Sequence, residues 1–367
     1  VEGYESWFSL ADAFPDVPTG LTATAGNSQV VLTWTANSES DLVSYKLYSG
    51  TNVYPTTLLA TISAGTETYT NTGLTNGGGY YYRISAVDNA GSESSKSSDV
   101  LTTPKPQKYT VKTDGTGDYT VIQTAINVTT NGDTVLVYPG TYTENIDFNG
   151  KNILVKSQNG PNTTSITPQT NLQPIVYFHT SETATAFLSG FTLSDGGSLR
   201  GSAIKIAAAN PTIENCIIKN CVLTNTAYGA VSFHSTSSTI KNILIYGTTG
   251  GPAIYIDNAG DNSSIINCTI ANNHIGLEAG DKPVNVNNSI IYNNTTNITG
   301  YGFVDFDYSN IEGGVSGSGM VGNINSDPMF VDANNGDYSL SNYSSAIGSG
   351  TATGAPSTDI NGTARPS

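Results

Sequence analysis

The pattern of apolar and polar positions shows one short phrase that recurs four times between residues 212 and 293. Its copies read TIENCIIKN, TIKNILIYG, SIINCTIAN and VNVNNSIIYN. Equivalent positions lie about 21 to 27 residues apart, the spacing of solenoid repeats rather than of helical arrays. Within each copy apolar and polar residues alternate, which predicts short strands with one buried face. The phrase therefore predicts one turn of a stacked β-solenoid.

Aligning the four copies places equivalent residues in columns. One column is entirely isoleucine, at Ile218, Ile245, Ile270 and Ile291. Another is entirely asparagine, at Asn215, Asn242, Asn267 and Asn288. Asparagine tolerates left-handed backbone and can hydrogen-bond along a stack, so we interpret this column as a structural ladder at one corner of the solenoid.

The first part of the chain has a different pattern. Residues 17–103 read as seven short alternating strands between turn clusters, without a helical period, which predicts a β-sandwich. Residues 1–16 form an N-terminal segment with Trp7 and Phe8, and residues 104–108 form a stiff, proline-containing linker.

Residues 109–367 are predicted to form the solenoid. Near its start, Tyr119–Thr129 carries an apolar stripe of Val121, Ile122, Ala125 and Ile126, which predicts one amphipathic helix. Because a solenoid exposes a hydrophobic end, we expect this helix to cap the first turn. The predicted fold class is all-β with a single capping helix.

Composition and charge limit the classes of molecule that the chain is expected to bind. Only 12% of the 367 residues are charged, while glycine (39) and tyrosine (21) are plentiful, as in β-rich extracellular chains. The net charge of −15 argues against nucleic acid and anionic membranes. No run of 18 apolar residues is present, so no transmembrane segment is expected. The chain begins at Val1 without a signal peptide, so we expect a processed piece whose export is inferred from composition and architecture.

Cys216 and Cys268 share a column but lie two turns apart. At about 4.8 Å per turn their Cα atoms are about 9–10 Å apart, beyond disulfide reach. We expect both thiols to be buried and reduced.

Both parts of the chain resemble known families. The segment 17–103 resembles a fibronectin type III module, with Trp34 in the second strand and Tyr80 at the position of the family's tyrosine corner. From residue 109 the phrase GDYTVIQTAI…GDTVLVYPGTYTE and the later INCxIxN turns resemble right-handed parallel β-helix proteins of the pectate-lyase and pectinesterase type. The phrases SDPMFVDANNGDYSL and DINGTARP resemble the closing region of bacterial surface β-helix proteins.

Candidate chemistry lies on outward-facing strand positions. Aligning AIKIA, AVSFH, AIYID, IGLEA and FVDFD predicts one outward column of Lys205, Ser232, Tyr255, Gly276 and Asp305. The adjacent column is predicted to hold Ala207, His234, Asp257, Glu278 and Asp307. Clustered carboxylates suit acid–base chemistry or a hard cation, and the alternative is a solvated acidic stripe. We therefore expect a ligand site at His234, Tyr255, Asp257, Glu278, Asp305 and Asp307, with calcium as the fitting cation at Asp257 and Glu278.

Three functional interpretations remain open. The catalytic phrases DFIFG and LGRPW of pectinesterases, and GHG and RIK of polygalacturonases, are absent. The basic residues nearest the face, Lys205 and Arg200, are expected to lie away from the acidic column. This favours a secreted or cell-surface prokaryotic protein that acts as a structural or adhesive, glycan-interacting rod. A lyase or glycoside hydrolase that uses the acidic column is the alternative, and a binding module in which Tyr228, Tyr246 and Tyr255 stack on sugars is the third. Expected partners are an extracellular polysaccharide or neighbouring copies of a surface protein.

Overall fold

A computed structural model describes residues 14–197, 202–225, 227–234, 237–257, 263–280, 283–300, 304–315, 317 and 319–365. Trp7, Phe8 and Arg200 lie outside these residues. The chain divides into two compact units, Val1–Gln107 and Lys108–Ser367.

The first unit is a β-sandwich of seven antiparallel strands. They are β1 (Thr22–Gly26), β2 (Gln29–Thr33), β3 (Leu42–Gly50), β4 (Leu58–Ser63), β5 (Thr68–Thr72), β6 (Tyr80–Asp88) and β7 (Val100–Thr102). One sheet has the order β1-β2-β5 and the other β4-β3-β6-β7. Trp34 and Tyr45 pack edge to face in the core between them, with ring centroids 5.4 Å apart. The Tyr80 hydroxyl accepts a hydrogen bond from the backbone N–H of Thr75 (3.0 Å), the predicted corner contact.

The second unit is a parallel β-helix built of three parallel sheets, and a complete turn adds one strand to each sheet. The first sheet contains β8 (Lys108–Val111), β9 (Thr134–Val137), β12 (Leu154–Ser157), β15 (Phe187–Ser189), β18 (Thr212–Glu214), β21 (Thr239–Lys241), β24 (Ser263–Ile266), β27 (Val284–Asn287) and β30 (Val304–Asp307). The second contains β10 (Gly140–Thr143), β13 (Thr164–Thr167), β16 (Thr192–Ser194), β19 (Ile217–Lys219), β22 (Leu244–Tyr246), β25 (Thr269–Ala271), β28 (Ile290–Tyr292) and β31 (Asn310–Ile311). The third contains β11 (Ile146–Asp147), β14 (Val176–Phe178), β17 (Ile204–Ala207), β20 (Val231–His234), β23 (Pro252–Asp257), β26 (Ile275–Ala279) and β29 (Thr296–Gly300).

Stacked apolar side chains form the core of the β-helix. Ile218, Ile245, Ile270 and Ile291 pair in register on successive turns, and each is fully buried. Cys216 and Cys268 are buried and free, as expected, and so is Cys221. The core is therefore one continuous cluster that runs through all the turns.

The helix α1 (Ile122–Val128) closes the N-terminal end of this core. It is shorter than predicted, and Val121, expected in the apolar stripe, precedes the helix and is 41% exposed. The N-cap side chain makes no capping bond. Instead, the Glu144 carboxylate accepts from the N–H groups of Ile122 (2.9 Å) and Gln123 (3.0 Å) and so satisfies the helix N-terminus.

The asparagine column occupies the corner between the first and second sheets. All four members are left-handed, with φ between 51° and 54°. This conformation costs most residues about 1–2 kcal/mol but suits asparagine. In the next turn Tyr308 takes the equivalent place, also left-handed at φ 51°.

Residues 319–365, here the closing segment, fold back along the β-helix. The segment contains β32 (Phe330–Asp332), a short 3-10 helix (Ala333–Asn335) and β33 (Asp337–Leu340). The Tyr338 ring contacts Tyr246 of the second sheet, with centroids 5.0 Å apart. Later residues bond to progressively earlier turns: Thr351 to Asn288, Thr358 to Asn242, and Asn361 to Asn162. Of the two helices that the described residues form, neither has the length and apolar character needed to cross a membrane.

Candidate functional site

The outer surface of the third sheet carries most of the candidate side chains. Register pairs one residue from each turn in the order Asp147, Tyr177, Lys205, Ser232, Tyr255, Glu278 and Thr299. Of these, Ser232 is buried, with its hydroxyl bonded to Ser202 and to the N–H of Gly229. His234 and Asp257 are paired in the adjacent column. We call the partly exposed group Asp147, Tyr177, His179, Lys205, Tyr228, His234, Tyr255, Asp257 and Glu278 the third-sheet face.

Lys205 lies at the centre of this face between two tyrosine rings. Its ammonium nitrogen is 5.6 Å from the ring centroid of Tyr177 and 4.9 Å from that of Tyr228. Among the described residues, no carboxylate forms an ion pair with it. Its positive charge acts on His234, while the expectation that Lys205 lies away from the acidic residues stays a prediction.

His234 connects the lysine to the acidic part of the face. Its Nδ1 lies 3.6 Å from Oδ2 of Asp257, and its ring contacts Tyr228 and Tyr255 at 5.5 and 5.9 Å. Burial and the positive charge of Lys205 lower the pKa of His234, against the opposing effect of Asp257. The imidazole is therefore neutral at pH 7, and its buried Nε2 has no hydrogen-bond partner among the described residues.

A second histidine pair lies at the other end of the face. Nε2 of His179 is 2.9 Å from Oδ2 of Asp147, and its Nδ1 is 2.8 Å from the Thr180 hydroxyl. The His179 ring also stacks on Tyr177, with centroids 4.3 Å apart. These contacts fix the orientation of Tyr177, one of the two aromatic surfaces beside Lys205.

The predicted single acidic column does not form. Glu278 pairs with Tyr255 rather than with Asp257, because Leu277 takes the core position next to Ile254 and Ile275 pairs with Pro252. Asp305 and Asp307 lie on the first sheet beside Asn285 and Asn287, because β29 supplies the third-sheet strand of that turn. His234, Tyr255, Asp257 and Glu278 are therefore brought together, and the other two predicted residues are not.

Burial shifts two groups of the face toward their neutral forms, Glu278 and His234. Burial raises the pKa of Glu278, and burial together with Asp257 and Glu278 raises the pKa of Tyr255. Within the described residues, no three His, Cys, Asp or Glu side chains form a group that could hold a metal ion. The calcium hypothesis required Asp257 and Glu278 in one column, which they do not share.

Tyr177, His179 and Asp147 belong to the face although the sequence pattern did not predict them. They come from the first two turns, where the repeated phrase is weak and gives no column of outward positions. The alternation of IVYFH around Tyr177 was the available signal. Of the three tyrosines considered for stacking on sugars, Tyr228 and Tyr255 lie on the face. Tyr246 belongs to the second sheet and is in contact with the closing segment.

Two families match this chain. Residues 16–103 match the fibronectin type III domain, and residues 152–316 match the right handed beta helix region. Exoglucanase B of Cellulomonas fimi is 41% identical over 99 residues, which cover 25% of this chain and 8% of that protein. Amylopullulanase of Thermoanaerobacterium saccharolyticum is 38% identical over 97 residues, 24% of this chain and 7% of that protein.

These relatives are matched only across the fibronectin type III region, so the chain spans less than a tenth of their length. The crystal structure of a Fn3-like protein from Clostridium thermocellum is 34% identical, covers 25% of this chain and 97% of that one, and has a TM-score of 0.22. Residues 16–103 are thus a fibronectin type III domain, and residues 152–316 are a right-handed β-helix region.

Proposed function

We propose that this is a secreted or cell-surface protein that binds an extracellular polysaccharide on the third-sheet face, with the β-helix as the structural support for adhesion. The observation that carries the proposal is the grouping of Tyr177, Tyr228 and Tyr255 around Lys205 and His234. Aromatic faces pack against the C–H faces of sugar rings, while carboxylates and imidazoles pair with sugar hydroxyls.

The length of the face supports a polymer rather than a single sugar. Asp147 and Glu278 are five turns apart in the paired column. At about 4.8 Å per turn this spans about 24 Å. The side chains are held by mutual packing before any ligand arrives, which lowers the ordering cost of binding.

The comparisons are compatible with an extracellular setting. The two relatives bear the names of glycan-cleaving enzymes, but the likeness is confined to the fibronectin type III domain. Adhesion and the glycan partner therefore rest on the third-sheet face alone.

The test is retention of the full chain on a panel of insoluble polysaccharides and retardation in gels that contain soluble ones. Tyr177→Ala and Tyr255→Ala should each weaken binding roughly five- to tenfold, because one lost aromatic contact costs on the order of 1 kcal/mol. Tyr343→Ala, which removes an 87% exposed tyrosine of the closing segment, is the matched control. Absence of retention, or retention equal in all four proteins, would rule the proposal out.

A polysaccharide lyase or glycoside hydrolase is the second candidate. It is favoured by the raised pKa of Glu278 and the lowered pKa of His234. Burial is the main cause of both shifts, and the two side chains, a candidate acid and a candidate base, lie on the same face. New chain ends should then appear during incubation with a bound glycan, and Glu278→Gln or His234→Ala should reduce their rate at least 100-fold. Binding without new chain ends rejects the enzyme and keeps the adhesive function.

A further inference from the structure

The closing segment encloses a cleft against the corner of the β-helix, away from the third-sheet face. The cleft has a volume of about 620 Å³. Its floor includes Asn267, Asn288 and Tyr308, and the closing segment supplies Tyr338, Ser349 and Arg365. The cleft therefore lies over the middle of the asparagine ladder.

Asn267 differs from the other three ladder asparagines in the hydrogen bonding of its side-chain oxygen. Oδ1 of Asn215 accepts from Asn242, Oδ1 of Asn242 accepts from Arg365, and Oδ1 of Asn288 accepts from the N–H of Thr351, at 2.8–3.0 Å. Oδ1 of Asn267 is buried and accepts no hydrogen bond within the described residues. A buried carbonyl oxygen that accepts no hydrogen bond is unfavourable, so a ligand that donates to Oδ1 of Asn267 would be stabilised here.

Arg365 brings a positive charge to the same cleft. It donates to Oδ1 of Asn242 (2.8 Å) and to the carbonyl of Thr358 (3.2 Å), which leaves further guanidinium N–H groups. No carboxylate of the described residues forms an ion pair with it, although it is half-buried, and Asp359 acts on it only at longer range. A partly buried guanidinium without a contacting carboxylate is a site for an anion.

We infer that this cleft binds a small hydroxycarboxylate, whose carboxylate pairs with Arg365 and whose hydroxyl donates to Oδ1 of Asn267. Arg365 requires the carboxylate and Asn267 requires the hydroxyl, so each functional group of the ligand has its own partner. Apolar atoms of Tyr338, Ile347 and Pro356 line the remaining wall.

Three probes of similar length separate these requirements: gluconate, sorbitol, which lacks the carboxylate, and hexanoate, which lacks the hydroxyls. In calorimetric titrations of the full chain, gluconate should bind and raise the melting temperature. Sorbitol and hexanoate should bind at least tenfold more weakly. Equal binding of gluconate and either analogue, or no binding of gluconate, would overturn the inference.

Two variants test the residues. Arg365→Gln should weaken gluconate binding at least tenfold. Asn267→Asp should also abolish binding, but it should keep or raise the melting temperature, because the new carboxylate pairs with Arg365. Asn215→Asp, on the same ladder but outside the cleft, should bind like the wild type. Gluconate binding that survives both Arg365→Gln and Asn267→Asp places the site elsewhere and refutes the assignment.

Discussion

Asn242 donates a hydrogen bond from Nδ2 to Oδ1 of Asn215 in the preceding turn, at 3.0 Å. The Asn242 side chain also donates to the carbonyl of Thr358 and accepts from Arg365. It is 3% exposed. The Asn242 side chain thus connects its own turn of the β-helix with the preceding turn and with the closing segment through hydrogen bonds.

We expect Asn242→Ala to lower the free energy of unfolding of the β-helix by about 2–4 kcal/mol. Alanine loses these hydrogen bonds, and it pays about 1–2 kcal/mol for the left-handed backbone. Urea unfolding followed by circular dichroism measures the change.

Asn242→Gly separates the two causes, because glycine adopts the left-handed backbone freely but makes no side-chain bond. It should recover about 1 kcal/mol of the loss. The comparison variant is Asn293→Ala, at an exposed left-handed position just after β28. If it costs as much as Asn242→Ala, side-chain bonding contributes nothing at Asn242.

Replacing Ile245 or Ile270 with alanine should cost about 2–5 kcal/mol, since each fully buried side chain fills one position of a stack and its loss leaves a cavity. Leu172→Ala, at a 63% exposed position, should change the melting temperature little. An unchanged melting curve for Ile245→Ala would contradict the stacked core.

Cys216 and Cys268 should react with a thiol-alkylating reagent only after unfolding. Burial raises the pKa of each thiol to about 12, so almost no thiolate exists at pH 8 and the reagent has no access. Mass spectrometry of native and denatured samples counts the modified cysteines. Rapid labelling of the native chain would show that the core opens.

Stability of the sandwich should depend on Glu93 and on pH. Burial alone would raise the pKa of Glu93, but hydrogen bonds from Lys46, Tyr48 and Ser85 outweigh it and lower the pKa to about 2. The unfolded value is 4.5, so the contribution is fully present above about pH 5 and is lost as the pH falls through about 2. It amounts to at most about 3 kcal/mol.

Glu93→Gln should therefore destabilise the sandwich at pH 7 and have little effect near pH 2. Urea unfolding followed by the fluorescence of buried Trp34 reports on this unit. Lys46→Met and the double variant complete the cycle and give the coupling energy of the pair. A loss of stability in Glu93→Gln that is equal at both pH values would attribute the effect to packing rather than to charge.

The sequence determined the architecture because the features that encode it are local. Seven alternating strands predicted the sandwich, and the recurring apolar positions around Ile218 and Ile245 predicted a stacked core. Left-handed corners at Asn215 and its equivalents followed from the backbone preference of asparagine. Each depends on a few neighbouring residues and repeats from turn to turn, so the one-dimensional pattern contained it.

The candidate site was decided by the tertiary structure. The sequence alignment paired Ile275 with Ile254, but in the structure Ile275 pairs with Pro252, a shift of two residues. Glu278 therefore lies beside Tyr255 rather than Asp257, and no local preference distinguishes the two registers. Tyr177, Lys205 and Tyr228 are about 20 to 50 residues apart in sequence, and only the stacking of turns about 4.8 Å apart brings them together. The contact of Arg365 with Asn242 joins residues 123 positions apart. Which side chains meet across turns depends on the register and on the path of the closing segment, and both are set by packing of the whole unit.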